Sequence, residues 1–166
     1  MFAQAVAQNK KIDRVLRARF VRHAELLENN RVGHKAPDFV YTDRNGQTRN
    51  FDSDTARVVV LMISDPECED CRMARIRLDA DINATKLIDK GLLKIVSITP
   101  SAATPQWRDA VKNYPEKWVV GASDTFDDKY NFFTTPSFYL INNDHVILVK
   151  NTNINSVLDV MYRLTH

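Results

Sequence analysis

The sequence predicts an α/β fold in which a central mixed β-sheet is flanked by helices. Two apolar runs, at 58–64 and 93–98, are continuous and rich in β-branched residues, as expected of strands buried on both faces. Segments of helical character follow both runs, and the chain closes with a hairpin over 138–150 and a helix over 154–164. Repeated β-α-β order that ends in an antiparallel hairpin indicates a mixed sheet.

The first 31 residues form a separate segment. Apolar residues recur at helical spacing over 10–30, between arginines and glutamates, and Gly33 and Pro37 then interrupt the pattern. We therefore expect an N-terminal helical arm at 1–31, followed by one domain at 32–166.

The remaining elements follow in order along the domain. A short hairpin is expected at 39–51, and one long helix at 71–90 with Ile82 on its inner side. A helix over 104–113 and a strand over 118–121 come next, before a short helix or turn at 124–130.

Cys68 and Cys71 are the only cysteines, and they lie directly between a predicted buried strand and a predicted helix. A C-x-x-C pair at such a junction is typical of a thiol–disulfide redox site. The first sulfur would lie at a helix N-terminus, where unpaired N–H groups favour a thiolate. The second would be one helical turn further on, close enough to form a local disulfide.

Two further motifs accompany the cysteines. Gly33 to Phe39 reads G-x-x-A-P-D-F, and Thr134-Thr135-Pro136-Ser137-Phe138 lies far downstream. In this order the three motifs resemble the thioredoxin superfamily, from about residue 32 to the end of the chain. The interval from Cys68 to Pro136, 68 residues, is similar to the branch with a strand–helix insertion, the extracytoplasmic reductases of the TlpA/ResA type.

The resemblance implies an enzyme, a thioredoxin-like protein-disulfide reductase. Cys68 would attack a substrate disulfide and Cys71 would resolve the mixed disulfide. The bond before Pro136 would be cis, and Thr135 would offer backbone groups to an extended substrate. The redox-active disulfide would be its only cofactor, and its partners would be a disulfide-containing protein and an upstream thiol reductant.

Acidic residues surround the first cysteine. Glu67, Glu69 and Asp70 would disfavour a thiolate at Cys68, against the opposing charges of Arg72 and Arg75. A less stabilised thiolate makes the dithiol a better electron donor, so we expect a reductase rather than an oxidant.

The positions where the resemblance would lead us to expect a buried acid are apolar in this sequence. Met62 occupies the position on the central strand, and Ala74 the position after the second cysteine. The sequence therefore shows no buried proton acceptor for the Cys71 thiol.

Two other functions remain open. The chain could be a non-catalytic thioredoxin-fold interaction module in which the disulfide is structural. It could also be a peroxiredoxin-like peroxidase, since the Gly33–Phe39 motif suits that family equally. Against the peroxidase, Asp65 stands three residues before Cys68, where peroxiredoxins have a threonine, and its carboxylate would repel the thiolate.

Composition limits the other classes of function. Two cysteines and four scattered histidines offer no zinc-ligand spacing, and a net charge of +2 gives no basis for nucleic-acid binding. No apolar run approaches the roughly 18–20 residues of a transmembrane helix.

The N-terminus bears on the location of the protein. Small residues there resemble those at signal-peptide cleavage sites, but the segment lacks the charged start and the apolar core of a signal peptide. We expect a bacterial protein of the periplasm or cell-envelope surface whose leader is absent, with the cytoplasm as the alternative.

Overall fold

The structure, a computed structural model, describes residues 14–166, so the first 13 residues of the expected arm lie outside the described part. The helices are α1 (Arg14–Asn29), α2 (Glu69–Ala80), α3 (Ile82–Asp89), α4 (Pro105–Val111) and α5 (Ile154–Thr165). The strands are β1 (Val40–Asp43), β2 (Thr48–Asn50), β3 (Val58–Ile63), β4 (Leu93–Thr99), β5 (Val119–Ala122), β6 (Ser137–Asn142) and β7 (Ile147–Thr152). Two short 3₁₀ helices are Phe51–Ser53 and Phe126–Asp128.

The seven strands form one mixed sheet in the order β2-β1-β5-β4-β3-β6-β7. The central strand β3 pairs in parallel with β4 and antiparallel with β6. All six of its residues are buried, which explains why its sequence is apolar without alternation. The segment between β4 and β6 contributes α4 and β5, and the fold agrees with the mixed sheet and flanking helices that the sequence predicts.

One face of the sheet is covered by four helices. Alternate β3 residues, Val58, Val60 and Met62, point into this core. The helices contribute apolar side chains to the same cluster: Ala74 and Leu78 from α2, Ala84 and Leu87 from α3, Trp107 and Val111 from α4, Val157 and Met161 from α5.

The opposite face is covered mainly by aromatic residues from connecting segments. Val59, Leu61 and Ile63 pack here against rings that include Phe39, Phe51, Phe126 and Tyr130. The rings of Phe126 and Tyr130 are stacked with centroids 4.8 Å apart, and Phe39 meets both edge-on. Aromatic contacts of this kind add to the stabilisation that burial of the rings provides. This face of the sheet is therefore covered without a long helix.

The expectation of one helix over 71–90 is wrong, because the chain breaks at Asp81. Asp81 has an extended backbone, and its carboxylate accepts a hydrogen bond of 2.8 Å from the N–H of Ala84, which caps α3. The break changes the helical phase, so Ile82 is 65% exposed and does not lie on the inner side as expected. Ala84 and Leu87 are buried instead.

The helix α1 joins the domain at its C-terminal end. It buries none of its own residues, although Arg22 forms an ion pair with Asp128. Asn30, directly after the helix, is buried: its amide donates to the carbonyl of Lys129 (2.9 Å) and accepts from the N–H of Asn131 (2.6 Å). Asn30 thus links the segment that contains α1 to the domain core.

Replacing Asn30 with alanine should destabilise the protein by roughly 1–3 kcal/mol, because the buried Asn30 amide is lost and the Lys129 carbonyl and the Asn131 N–H lose their hydrogen-bond partner. Chemical denaturation followed by circular dichroism measures the change. The matched control is Asn29→Ala, one residue earlier and exposed, which should stay within about 0.5 kcal/mol of the parent. Equal effects of the two substitutions would contradict this anchoring role.

Candidate active site

Cys68 is the N-terminal cap of α2. Its backbone is extended, and its Sγ accepts a hydrogen bond of 3.2 Å from the N–H of Cys71. The preceding turn is closed by the Cys68 N–H, which donates to the Asp65 carbonyl at 3.1 Å. A negative sulfur at this place accepts a hydrogen bond from the Cys71 N–H, which has no partner within the helix, and it lies at the positive end of the helix dipole. Both interactions favour a thiolate. Cys68 is partly exposed to solvent.

The loop before β6 lies against Cys68. Ile63, the last residue of β3, pairs with Ser137, the first residue of β6, and this register brings the preceding loop beside the C-x-x-C turn. The carbonyl oxygen of Thr135 lies 3.5 Å from Cys68 Sγ. The peptide bond between Thr135 and Pro136 is cis. The structure thus brings together Cys68, Cys71, Thr135 and Pro136, which the sequence analysis selected from two distant segments.

Cys71 differs sharply from Cys68 because its side chain is fully buried, at 0% exposure. Burial raises the pKa of the Cys71 thiol to about 11, and its interaction with the Cys68 sulfur acts in the same direction. The Asp65 backbone and the side chains of Thr135 and Ser64 act against this rise. At neutral pH, Cys71 is therefore a protonated thiol. Both cysteines are free in this structure.

The three acidic residues near Cys68 do not share one environment. Glu69 is held by Arg72 through two hydrogen bonds of 3.0 and 2.7 Å, and this pairing lowers the pKa of Glu69. Glu67 and Asp70 are exposed at the surface. The negative charge expected around the sulfur is therefore partly compensated by Arg72.

Two buried residues near Cys71 were not identified from the sequence. Ser64 follows β3, is 1% exposed, and donates its N–H to the Ile98 carbonyl. Tyr114 lies just beyond α4, with the guanidinium of Arg75 stacked 4.1 Å from the centre of its ring. A polar residue at the end of an apolar strand was a usable signal for Ser64. Tyr114 is distant in the sequence, and no local pattern pointed to it.

Asp65 has a structural role at the position three residues before Cys68. Its carboxylate accepts a hydrogen bond of 2.9 Å from the N–H of Glu67 and so stabilises the turn that leads into α2.

Across residues 14–166 no group of three or more His, Cys, Asp or Glu side chains is arranged to hold a metal ion. Within the same residues, no helix has both the length and the apolar character needed to span a membrane.

Brief alkylation of the reduced native protein with iodoacetamide at neutral pH should modify Cys68 and leave Cys71 unmodified. The reason is that Cys71 is buried and, with a pKa of about 11, almost entirely protonated. Peptide mass spectrometry identifies the labelled residue. As the control, both cysteines should be labelled after unfolding in guanidinium chloride. Comparable native labelling of Cys71 would contradict the arrangement described here.

No protein-family model matches the chain, and no curated protein matches it at a significant level. Solved structures do match. A thioredoxin-like protein from Bacteroides caccae is 24% identical with a TM-score of 0.81, over 97% of this chain and 60% of that protein. The chain thus spans less than two thirds of that protein's length.

Two further structures match almost along their whole length. The C-terminal domain of an uncharacterized protein from Bacteroides fragilis is 23% identical with a TM-score of 0.74, over 81% of this chain and 99% of that domain. The thioredoxin domain of a thiol-disulfide oxidoreductase from Bacteroides vulgatus is 19% identical with a TM-score of 0.68, over 82% and 99% respectively. These likenesses agree with the fold that the sequence motifs imply: the chain has the fold of the thioredoxin superfamily.

Proposed function

We propose that this protein is a thiol–disulfide oxidoreductase that reduces protein disulfides through a Cys68/Cys71 dithiol–disulfide cycle. The observation that carries the proposal is the difference between the two sulfurs. Cys68 is partly exposed at a helix N-terminus with an N–H donor on its sulfur, whereas Cys71 is buried with a raised pKa. This difference supports a division of roles in which Cys68 would meet the substrate and Cys71 would react only after the mixed disulfide has formed.

In the first step the Cys68 thiolate attacks one sulfur of a substrate disulfide. A bond forms between Cys68 Sγ and that sulfur, the substrate S–S bond breaks, and the second substrate sulfur leaves as a thiolate that takes up a proton. The N–H of Cys71 stabilises the attacking thiolate before this step.

In the second step Cys71 loses its proton and attacks Cys68 Sγ. The Cys68–Cys71 disulfide forms, the bond to the substrate breaks, and the remaining substrate sulfur leaves as a thiolate that takes up a proton. The substrate has then gained two electrons and two protons, and the protein has lost them. A thiol reductant must return the pair to the dithiol for another cycle.

The loop containing Thr135 and Pro136 is the proposed substrate-binding segment. Thr135 lies beside Cys68, so an extended peptide that pairs with its backbone would hold a disulfide near the sulfur. Pro136 has no N–H and so places no competing donor there. Phe133, two residues before Thr135, is 79% exposed and offers apolar surface to a protein substrate.

The reducing direction is supported by the acidic side chains beside the site. Glu67 and Asp70 remain exposed near Cys68, while Arg72 is engaged with Glu69. Negative charge disfavours the thiolate relative to the disulfide and makes the dithiol a better electron donor.

We further propose an extracytoplasmic location. Protein disulfides form in such compartments and would serve as substrates, and a dedicated upstream reductant would have to return the enzyme to its dithiol form. The match to an oxidoreductase domain from Bacteroides vulgatus supports the general activity.

The proposed cycle predicts that the reduced protein accelerates insulin reduction by dithiothreitol, and that Cys68→Ser abolishes this acceleration because no nucleophile remains. Cys71→Ser should instead accumulate a mixed disulfide at Cys68, visible by mass spectrometry without reductant. The control Met73→Ala, which removes an exposed sulfur from the same helix, should retain activity. Equal rates for the parent and Cys68→Ser would refute the cycle, and turnover of peroxide but not insulin would favour a peroxidase.

The reduction potential of the Cys68–Cys71 pair should lie below about −200 mV, closer to thioredoxin at about −270 mV than to strong oxidants at about −120 mV. Neutralising the exposed acids with Glu67→Gln and Asp70→Asn should make it roughly 10–30 mV less negative, because the thiolate is then less disfavoured. Equilibration with glutathione redox buffers gives the values. Asp79→Asn, an exposed acid at the far end of α2, should leave the potential unchanged. A parent value near −120 mV, to within roughly 30 mV, would exclude a reductase.

A further inference from the structure

A groove lies along the turn that carries Cys68, on the side away from Thr135. In the sheet β3 lies between β4 and β6. The turn after β3 therefore has the loop before β6 on one side and the connection from β4 to α4 on the other. Between the turn and that connection is a groove of about 240 Å³, and Glu67, the residue before Cys68, forms part of its wall. The groove thus lies beside the nucleophile that the proposed function requires.

The size and position of the groove suit one side chain of a bound peptide. Its volume lies below the roughly 300–1,000 Å³ of small-molecule sites. Neighbouring Cα atoms, such as those of Glu67 and Cys68, are about 3.8 Å apart, and an extended peptide advances about 3.3 Å per residue. A residue one or two positions from the substrate cysteine can therefore place its side chain in the groove.

Part of the lining is apolar and is held in place by hydrogen bonds. The apolar lining residues are Pro66, Pro100, Trp107 and Ala110. The Trp107 ring N–H donates to Thr99 Oγ1 at 3.0 Å, and its backbone N–H donates to Thr104 Oγ1 at 3.1 Å, which caps α4. This wall is therefore ordered without a substrate, and its apolar surface can receive the methylene carbons of a lysine or arginine.

The charged groups that line the groove are both negative. They are the carboxylates of Asp65 and Glu67, and among the described residues no lysine, arginine or histidine lines the groove. One oxygen of Asp65 accepts a hydrogen bond of 2.9 Å from the N–H of Glu67, which fixes the first carboxylate. Within residues 14–166 neither carboxylate forms an ion pair, whereas Glu69 is neutralised by Arg72. The groove thus offers uncompensated negative charge beside an apolar surface.

We propose that Asp65 and Glu67 are specificity-determining residues that select substrates with a lysine or arginine one or two positions from the reacting cysteine. This inference rests on the proposed function. The methylene carbons of the basic side chain pack on the apolar lining, and its cation lies at the two carboxylates. The redox step keeps its balance: the bond from Cys68 Sγ to the substrate sulfur forms, the substrate S–S bond breaks, and the second sulfur leaves as a thiolate.

The test uses the reduced full chain and short alanine peptides whose single cysteine is linked by a disulfide to thionitrobenzoate. Attack by Cys68 on the peptide sulfur forms the mixed disulfide and releases the thionitrobenzoate anion, whose absorbance gives the rate. Lysine, glutamine or glutamate is placed in turn at each of the two positions on either side of the cysteine. Each rate is divided by the rate with dithiothreitol, which corrects for the effect of the charge on the peptide disulfide itself.

At the best position the lysine peptide should react roughly threefold to tenfold faster than the glutamine peptide, and the glutamate peptide should react more slowly than both. This is the range expected when one cation meets two exposed carboxylates. In 1 M salt the preference should fall below about twofold, because the screening length is then only about 3 Å. Equal rates for lysine and glutamine at all four positions would overturn the inference.

Variants that remove one charge locate the preference. Glu67→Gln and Asp65→Asn should each lower the lysine-to-glutamine ratio roughly twofold to threefold. Taking the ratio removes any change in the thiolate that affects all peptides equally. The control Asp70→Asn removes a nearby charge from a residue outside the groove and should leave the ratio unchanged. If Asp70→Asn lowered the ratio as much as Glu67→Gln, the general charge of the turn would explain the preference and the inference would be overturned.

A cation placed on the opposite wall gives an independent variant. Gln106 lies on α4 and lines the groove, so Gln106→Lys adds a positive charge there without altering the turn that carries Cys68. It should abolish the preference for lysine. The control Gln47→Lys, at an exposed position between β1 and β2, should retain the preference. A full preference in Gln106→Lys, or an equal loss in both variants, would contradict a role for the groove.

A competition experiment separates this inference from the proposed function. In Cys71→Ser the mixed disulfide at Cys68 is not resolved, so equimolar lysine and glutamine peptides compete for one sulfur. Mass spectrometry gives the ratio of adducts, corrected by the same competition for 2-mercaptoethanol. An excess of the lysine adduct on a protein that does not reduce insulin would support the groove and reject the reductase cycle. Equal adducts on a protein that reduces insulin would overturn the inference and leave the cycle standing.

Discussion

The pairing of β3 with β6 is the constraint on which the site depends. Cys68 and Thr135 are far apart in the sequence, and their contact follows from the antiparallel register that places Ile63 opposite Ser137. Slippage by one residue would turn every β3 side chain to the other face of the sheet. Because the two faces hold different cores, one built from helices and the other from aromatic rings, the register is strongly fixed. The packing of the sheet therefore determines the geometry at the sulfurs.

The same sheet produces the difference between the two cysteines. Since α2 begins a short turn after the C-terminal end of β3 and then packs against the helical face of the sheet, its first residues lie beyond the end of the strand and its next turn is directed inwards. Cys68 therefore caps the helix at the surface, while Cys71 shares the inner side of α2 with Ala74 and Leu78. Over three positions in the sequence, the side chains change from partial exposure at Cys68 to complete burial at Cys71, and this burial raises the pKa of the Cys71 thiol.

Sequence patterns correctly predicted the strands and turns whose formation depends on neighbouring residues. The apolar runs of β3 and β4, the turn residues of the hairpins and the C-x-x-C junction each carry their physical reason within a few residues. The prediction of a single helix over 71–90 was wrong because the helical spacing of its apolar residues was given more weight than one capping residue. That residue is Asp81, whose carboxylate caps a new helix. Tyr114 was missed for another reason: it is distant from the cysteines in the sequence, and its approach to Arg75 on α2 depends on the folded sheet.

The Gly33–Phe39 motif shows how a shared pattern can fix a fold without distinguishing reactions. The N–H of Gly33 donates to the Ile147 carbonyl and that of Ala36 to the His145 carbonyl, so the segment is attached beside β7. Phe39 then enters the aromatic core. None of these contacts reaches a sulfur, which explains why the motif suits both reductases and peroxidases. The chemistry must be decided at the turn before α2, where Asp65 orders the backbone through the Glu67 N–H and leaves no neutral hydroxyl at that position to polarise a peroxide.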